Sequence, residues 1–210
     1  MPPKPKFTKD EIIQAAYEIA ADDGIDAVMA REVGKKLGST ARPIFTVFSG
    51  MDELKDEVRA LARTRCLEYL SGAFEYDPAF KEFGMRMVRF AIEQPHLYSL
   101  VFSDAGNPAE VREILGPLNE QVIGSAVSAY GLSPQRAEQL VDRMTVFSTG
   151  IATFSQRAGE KISEAELAQA FSEVGIGVVI RFQILDGTFR PGALQRMLDQ
   201  PDYIPTKVAP

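Results

Sequence analysis

Helix punctuation recurs along almost the whole of this chain, and it limits the fold to one class. Thr8 with Glu11, and Ser163 with Glu166, stand at the spacing at which each side chain caps the other's backbone N–H. Asn107 precedes Pro108, and Ser133 precedes Pro134; Pro78 and Pro95 also open apolar stretches. Proline fits the first helical turn, where its missing N–H has no partner to lose. Glycine at 24, 38 and 187 marks stops. Between these marks the apolar residues recur at three and four, as in Ile12, Ala16 and Ile19, or Leu54, Val58, Leu61 and Arg65. No stretch alternates with period two. The sequence predicts an all-α protein of about nine helices, with Pro117 kinking or breaking the seventh. Three short helices fill the first 50 residues and longer ones follow. We place a boundary inside the fourth helix, with residues 1–52 as one domain and 53–210 as a helical bundle joined rigidly to it. The residues after Gly187 read as irregular.

Charge separates the two parts. The chain carries 23 basic and 29 acidic side chains, a formal net charge of −6. Residues 1–50 hold seven of each sign, so the acidity lies beyond them. Any affinity for a polyanion must then come from a local patch. Such a patch exists around a tight turn: "AREVGKKLGSTARPIFTVFSG", residues 30–50, holds Arg31, Lys35, Lys36 and Arg42 against one acid, Glu32. Cys66 is the only cysteine and reads as a small buried hydrophobe, with no intrachain disulfide possible. No apolar run approaches the length of a membrane span, and the basic N-terminus lacks a following apolar segment. The expectation is a cytoplasmic protein with no membrane partner.

Two short helices joined by a glycine turn suggest helix-turn-helix geometry. Ile12, Ala16, Ile19, Val33, Leu37, Ile44 and Phe48 can form its core. The third helix, capped by Thr40 and running to about Phe48, would then project Thr40, Ala41, Arg42, Phe45 and Thr46 outward. Arg42 suits guanine O6 and N7 in a major groove. Arg31 can do the same or hold a phosphate, and Lys35 and Lys36 suit phosphates. Phe45 and the Thr46 methyl can meet thymine methyl groups.

The pattern "IIQAAYEIAADDGIDAV", then "REVGKKLG", "IFTVF" and "MDELKDEV", resembles the DNA-binding domain of TetR-family transcriptional repressors over residues 8–58. "EQPHLYSLVF" is similar to a stretch in many members' C-terminal domains. The resemblance implies a dimer that reads a palindrome in double-stranded DNA and releases it under the control of a small molecule. Two positions depart from the family's habit. Phe45 stands where a tyrosine hydroxyl usually reaches a phosphate, and Met51 where a lysine is common. Pro43 lies inside the expected third helix. A helical module that keeps the fold without the operator is the alternative.

Enzyme chemistry finds little support. His96 is the sole histidine, so Glu93 and His96 cannot supply the paired motifs of a di-metal carboxylate site. Gly175 and Gly177 sit among helix formers and make no phosphate loop, and no nucleophile motif is present. No catalytic residue, metal or cofactor is expected.

The bundle should pair and sense. The eighth and ninth helices carry apolar stripes, and Met144, Ile151, Phe171, Val174, Gly175, Val178 and Phe182 are the expected homodimer interface, with Gly175 and Gly177 permitting close approach. For an apolar or aromatic effector the candidate pocket is Phe83, Met87 and Phe90 with Tyr98, Phe102, Asn119 and Phe147.

Overall fold

The computed structural model describes residues 6–72, 79–158 and 162–192. Ten α-helices and one short 3-10 turn, with no strand, make up these residues. They are α1 (Lys9–Asp23), the 3-10 turn (Ile25–Ala27), α2 (Ala30–Lys36), α3 (Ile44–Val47), α4 (Met51–Ser71), α5 (Ala79–Glu93), α6 (Pro95–Phe102), α7 (Pro108–Leu115), α8 (Pro117–Tyr130), α9 (Pro134–Ala158) and α10 (Glu164–Leu185). The extra helix over the expected nine arises at Gly116, whose φ of +55° ends α7 so that Pro117 can open α8. Pro78 and the residues beyond 192 lie outside the described residues.

The chain divides into two compact units: residues 1–68 with 93–104, and residues 69–92 with 105–210. The first unit holds one core. Thr8 and Glu11 close the capping box of α1. Phe7, one residue before the cap, packs on a cluster that includes Ile12, the staple arrangement for a helix start. Ile12, Ala16, Ile19, Val33, Ile44, Phe48, Leu54 and Val58 fill the interior, and Leu37 and Leu100 pack at its edge. On α4 the buried stripe is Leu54, Val58, Ala62, Cys66 and Leu70 at strict four-residue steps, and Arg65 faces out instead, paired with Glu68. Burial pushes the Cys66 thiol up to about 12.

Unit two is a bundle. α10 runs antiparallel to α5: Arg89 pairs with Glu164, Gly84 meets Phe171, and the Lys81 ammonium donates to Ser172 Oγ at 2.7 Å. A Cβ at Gly84 would lie 2.3 Å from the Phe171 ring, so only glycine lets these helices close. α10 also runs antiparallel to α9, with Phe147 edge-on to Phe171 at 5.3 Å and Arg136 bound to Asp186. The side chain of Gln183 reaches the carbonyl of Tyr130 at the end of α8. α10 is 22 residues long with a mean hydropathy of 1.2, enough by length and composition to cross a bilayer; its Leu167, Phe171, Val179 and Phe182 are buried within the unit instead.

Candidate nucleic-acid interface

A short helix, a turn and a shorter helix carry the cations of the first unit. α2 ends at Lys36, and Gly38 takes φ +63° to reverse the chain. Gly34 makes the reversal tight. A Cβ there would stand 2.7 Å from the carbonyl carbon of Thr40 and 2.9 Å from the nitrogen of Ala41, so the turn lies directly on α2. Ser39 N–H donates to the Gly34 carbonyl at 2.8 Å and locks it.

The third helix is shorter than its expected span of residues 40 to 48. It covers only Ile44–Val47, Thr40 does not cap it, and Arg42 sits in the turn ahead of it. Pro43 is the physical reason. It disfavours helical geometry at Arg42, the residue before it, so the helix cannot run through that position. Pro43 therefore becomes the residue before the first turn, with Ile44 N–H donating to Ala41 O at 3.1 Å.

Of the residues singled out in the sequence, Thr40, Arg42, Phe45 and Thr46 are exposed, and Ala41 is half-buried. Phe45 shows 53% of its surface, a large amount for an aromatic side chain with no core role. Thr46 Oγ1 donates back to the Arg42 carbonyl at 3.3 Å. The Arg31 side chain is 92% exposed and stands 3.7 Å from Glu32. Lys35 is exposed as well. Lys36 is engaged: its ammonium lies 2.8 Å from Glu18 of α1. The Glu18 carboxyl is held below its ordinary value, first by Lys36 and then by Gln14.

Two residues missed in the sequence reading belong here. Lys6 and Ser39 line an open concavity of about 790 Å³ together with Arg31, Lys35, Gly38, Thr40 and Ala41. The position of Lys6, two residues ahead of a capping threonine, was the available signal. Gly34 is the third omission; a glycine inside a seven-residue helix, just before a turn, marks a close backbone approach.

The residues named for an effector do not gather in one unit. Phe83, Met87 and Phe90 are buried in the bundle, where Phe90 tilts against Tyr69 at 5.2 Å. Phe147 is half-buried, and Asn119 Oδ1 is buried without a hydrogen-bond partner. Tyr98 and Phe102 belong to the first unit and pack on each other at 5.1 Å. Beside Phe83, Glu82 is fully buried; its Oε1 accepts from Arg86 at 2.8 Å and Arg89 at 2.9 Å, while Oε2 has no partner. Arg89 stays cationic: burial opposes its charge, but its bonds to Glu164 and Glu82 outweigh that and raise it.

The expected pairing residues divide. Met144, Phe171, Gly175 and Phe182 are buried inside the unit. Arg136 and Arg143 lie over the Phe182 ring at 4.9 and 4.6 Å. Gly175 makes only ordinary contact with Met144, and Gly177 faces open space, so neither serves a close approach within the chain. Val174 is exposed, and Ile151 and Val178 are half-buried. The large exposed apolar side chains of these two helices are Val146, Phe154, Val174, Ile184 and Leu185. Among the described residues no three His, Cys, Asp or Glu side chains gather to hold a metal ion.

A helix-turn-helix followed by a helical bundle matches two solved structures along most of its length. A transcriptional regulator from Rhodococcus sp. Rha1 superposes with a TM-score of 0.57 at 17% identity, over 83% of this chain and 97% of that one. This chain has the TetR fold. A TetR point variant from Acinetobacter baumannii AYE, solved in complex with minocycline, superposes at 0.51 and 17% identity, over 86% of this chain and 98% of its own. No protein-family model matches, and no curated protein matches in sequence. In the TetR fold of this chain, Arg31 and Lys35 on α2, Arg42 in the turn and Phe45 on α3 are exposed.

Proposed function

We propose that this chain is a cytoplasmic transcriptional regulator of the TetR family that binds a palindromic operator in double-stranded DNA as a homodimer and acts as a ligand-responsive repressor. One observation carries the reading. In a chain with a net charge of −6, α2, the turn and α3 hold out Arg31, Lys35, Arg42, Phe45 and Thr46 from a core built with α1 and α4. Guanidinium reads guanine, the ammonium groups neutralise phosphate, and the ring and methyl meet thymine. One such module touches too few bases for tight recognition, and a two-fold dimer supplies the second half-site.

Exposed Phe154, Val174 and Leu185 on α9 and α10 support pairing through those helices. An apolar or aromatic effector would act in the bundle, near Phe83, Met87, Phe90 and Phe147, with Asn119 Oδ1 free to accept a bond from it. Its action is a shift between two states set by its different affinity for each. The short α3, with Arg42 ahead of it, favours the second reading, a ligand-binding module of this fold without an operator. Selection of bound sequences from random duplex DNA separates the two. A palindrome with half-sites about one helical turn apart is the expected result. Recovery of no enriched sequence would leave only the module.

A further inference from the structure

We propose that Lys6, Arg31 and Lys35 form a single seat for one backbone phosphate, which makes Arg31 a phosphate-holding residue and leaves base reading to Arg42, Phe45 and Thr46. This assignment rests on the DNA-binding reading above and deepens it. Three separate elements meet at the concavity: the segment leading into α1, the outer side of α2, and the turn Gly38–Ala41. Arg31 and Lys35 are four residues apart on α2 and so share a face. Lys6 comes from a different part of the chain, yet its place is held. Phe7 is packed on the core beside it, and the capping box at Thr8 sets the direction of the backbone. The Lys6 ammonium rests 5.3 Å from the centre of the Phe7 ring, which orients it.

The lining of this concavity is three cations, two hydroxyl residues, Ser39 and Thr40, and small residues, with no carboxylate among them. That composition fits a tetrahedral anion. Ammonium, guanidinium and hydroxyl groups are phosphate donors that carry no sequence information. The contrast with Lys36 is one of degree: its ammonium is held by Glu18 at 2.8 Å, whereas the 92% exposed Arg31 stands 3.7 Å from Glu32. The contrast with Arg42 is positional, since Arg42 is outside the lining.

The test is a salt titration of DNA binding with the full chain, on its selected operator and on unrelated duplex. Each phosphate contact contributes a slope of about −0.9 to log K against log salt. Lys6→Ala should weaken both duplexes by the same factor and make the slope shallower by less than the roughly 0.9 per bound chain of one phosphate, because Arg31 and Lys35 still hold it; replacing all three by alanine should remove the whole of that roughly 0.9. Arg31→Ala should behave alike, and Lys6→Arg should restore the slope. Arg42→Ala should instead narrow the gap between operator and unrelated DNA. Inorganic phosphate, compared with chloride at equal ionic strength, should compete no better than its ionic strength requires. Stronger competition would mean a site for free anion and would overturn the backbone assignment. A wild-type chain that binds DNA while Lys6→Ala leaves slope and affinity unchanged overturns the seat alone. So does a loss of sequence preference in Arg31→Ala. A wild-type chain that binds no duplex overturns the regulator reading, and the seat falls with it.

Discussion

Gly34→Ala should loosen the reading turn, although alanine is the better helix former. The substitution favours α2 by about 1 kcal/mol through backbone entropy. Against this, the new Cβ would lie 2.7 Å from the Thr40 carbonyl carbon and 2.9 Å from Thr40 O and Ala41 N. Ordinary contact begins near 3.4 Å, so the turn must move by about 0.7 Å or more. The obstacle is backbone, which cannot swing aside as a side chain can. It is also tied at both ends, by Ser39 N–H to Gly34 O and by Ile44 N–H to Ala41 O. Overpacking of this kind costs about 1–3 kcal/mol. The net loss is then about 1 kcal/mol, with the helix gain subtracted from the middle of that range.

Such a loss lowers the melting temperature of a domain of 60–100 residues by about 4–8 °C. Calorimetry of the full chain reads it. The same displacement moves Arg42, so operator affinity should drop by up to the roughly 1–3 kcal/mol of one lost bidentate base contact. Gly124→Ala on α8 is the control: its Cβ meets nothing within 4 Å, so the helix gain should appear undiminished. A raised melting temperature for Gly34→Ala, with unchanged operator affinity, would refute the close packing of turn on helix.

Other substitutions test other parts. Arg42→Ala should weaken operator binding by about 1–3 kcal/mol and broaden the selected sequence, measured by repeating the selection. Phe154→Asp is 71% exposed in the chain and should leave the fold intact while yielding monomers by sedimentation; a wild-type monomer at micromolar concentration would refute pairing through α9 and α10. Lys81 titrates at about 8 in the fold and near 10.5 when unfolded, because burial disfavours its charge. Between those values the unfolded chain binds the extra proton, so stability should climb from pH 8 to pH 9, and Lys81→Met should flatten the climb in chemical denaturation. Cys66 works in the opposite sense: its thiol ionises near 9 when unfolded and about 12 when folded, so stability contributed by the neutral thiol falls as pH rises above 9, and Cys66→Ala should remove that fall.

Local chemistry made the helices legible, and its reach ends where chain segments far apart in sequence meet. The capping boxes at Thr8 and Ser163 and the Asn107 cap are written in three or four adjacent residues, and each is formed as spaced. The first core was legible for the same reason: Ile12, Ala16, Ile19, Val33, Ile44 and Phe48 lie on helices too short to bury anything except against one another. Pro43 was also visible, but placing it in the first turn of the third helix gave too little weight to the restriction it sets on Arg42 just before it. Periodicity fared worst on α9 and α10. Both helices are apolar on more than one side, and a stripe tells how an axis is oriented without telling which neighbour it meets. Phe171 turns inward because α5 is there, and the contact that fixes this, Gly84 under its ring, joins residues 87 positions apart; Met144 meets Gly175, and Arg136 and Arg143 cover the Phe182 ring. Once those residues are taken by the chain's own core, the large exposed apolar side chains left for a partner are Val146, Phe154, Val174, Ile184 and Leu185. A pairing surface on these helices must therefore centre on residues chosen by exposure, and substitutions at Phe182 would report on the fold of the bundle before they reported on assembly.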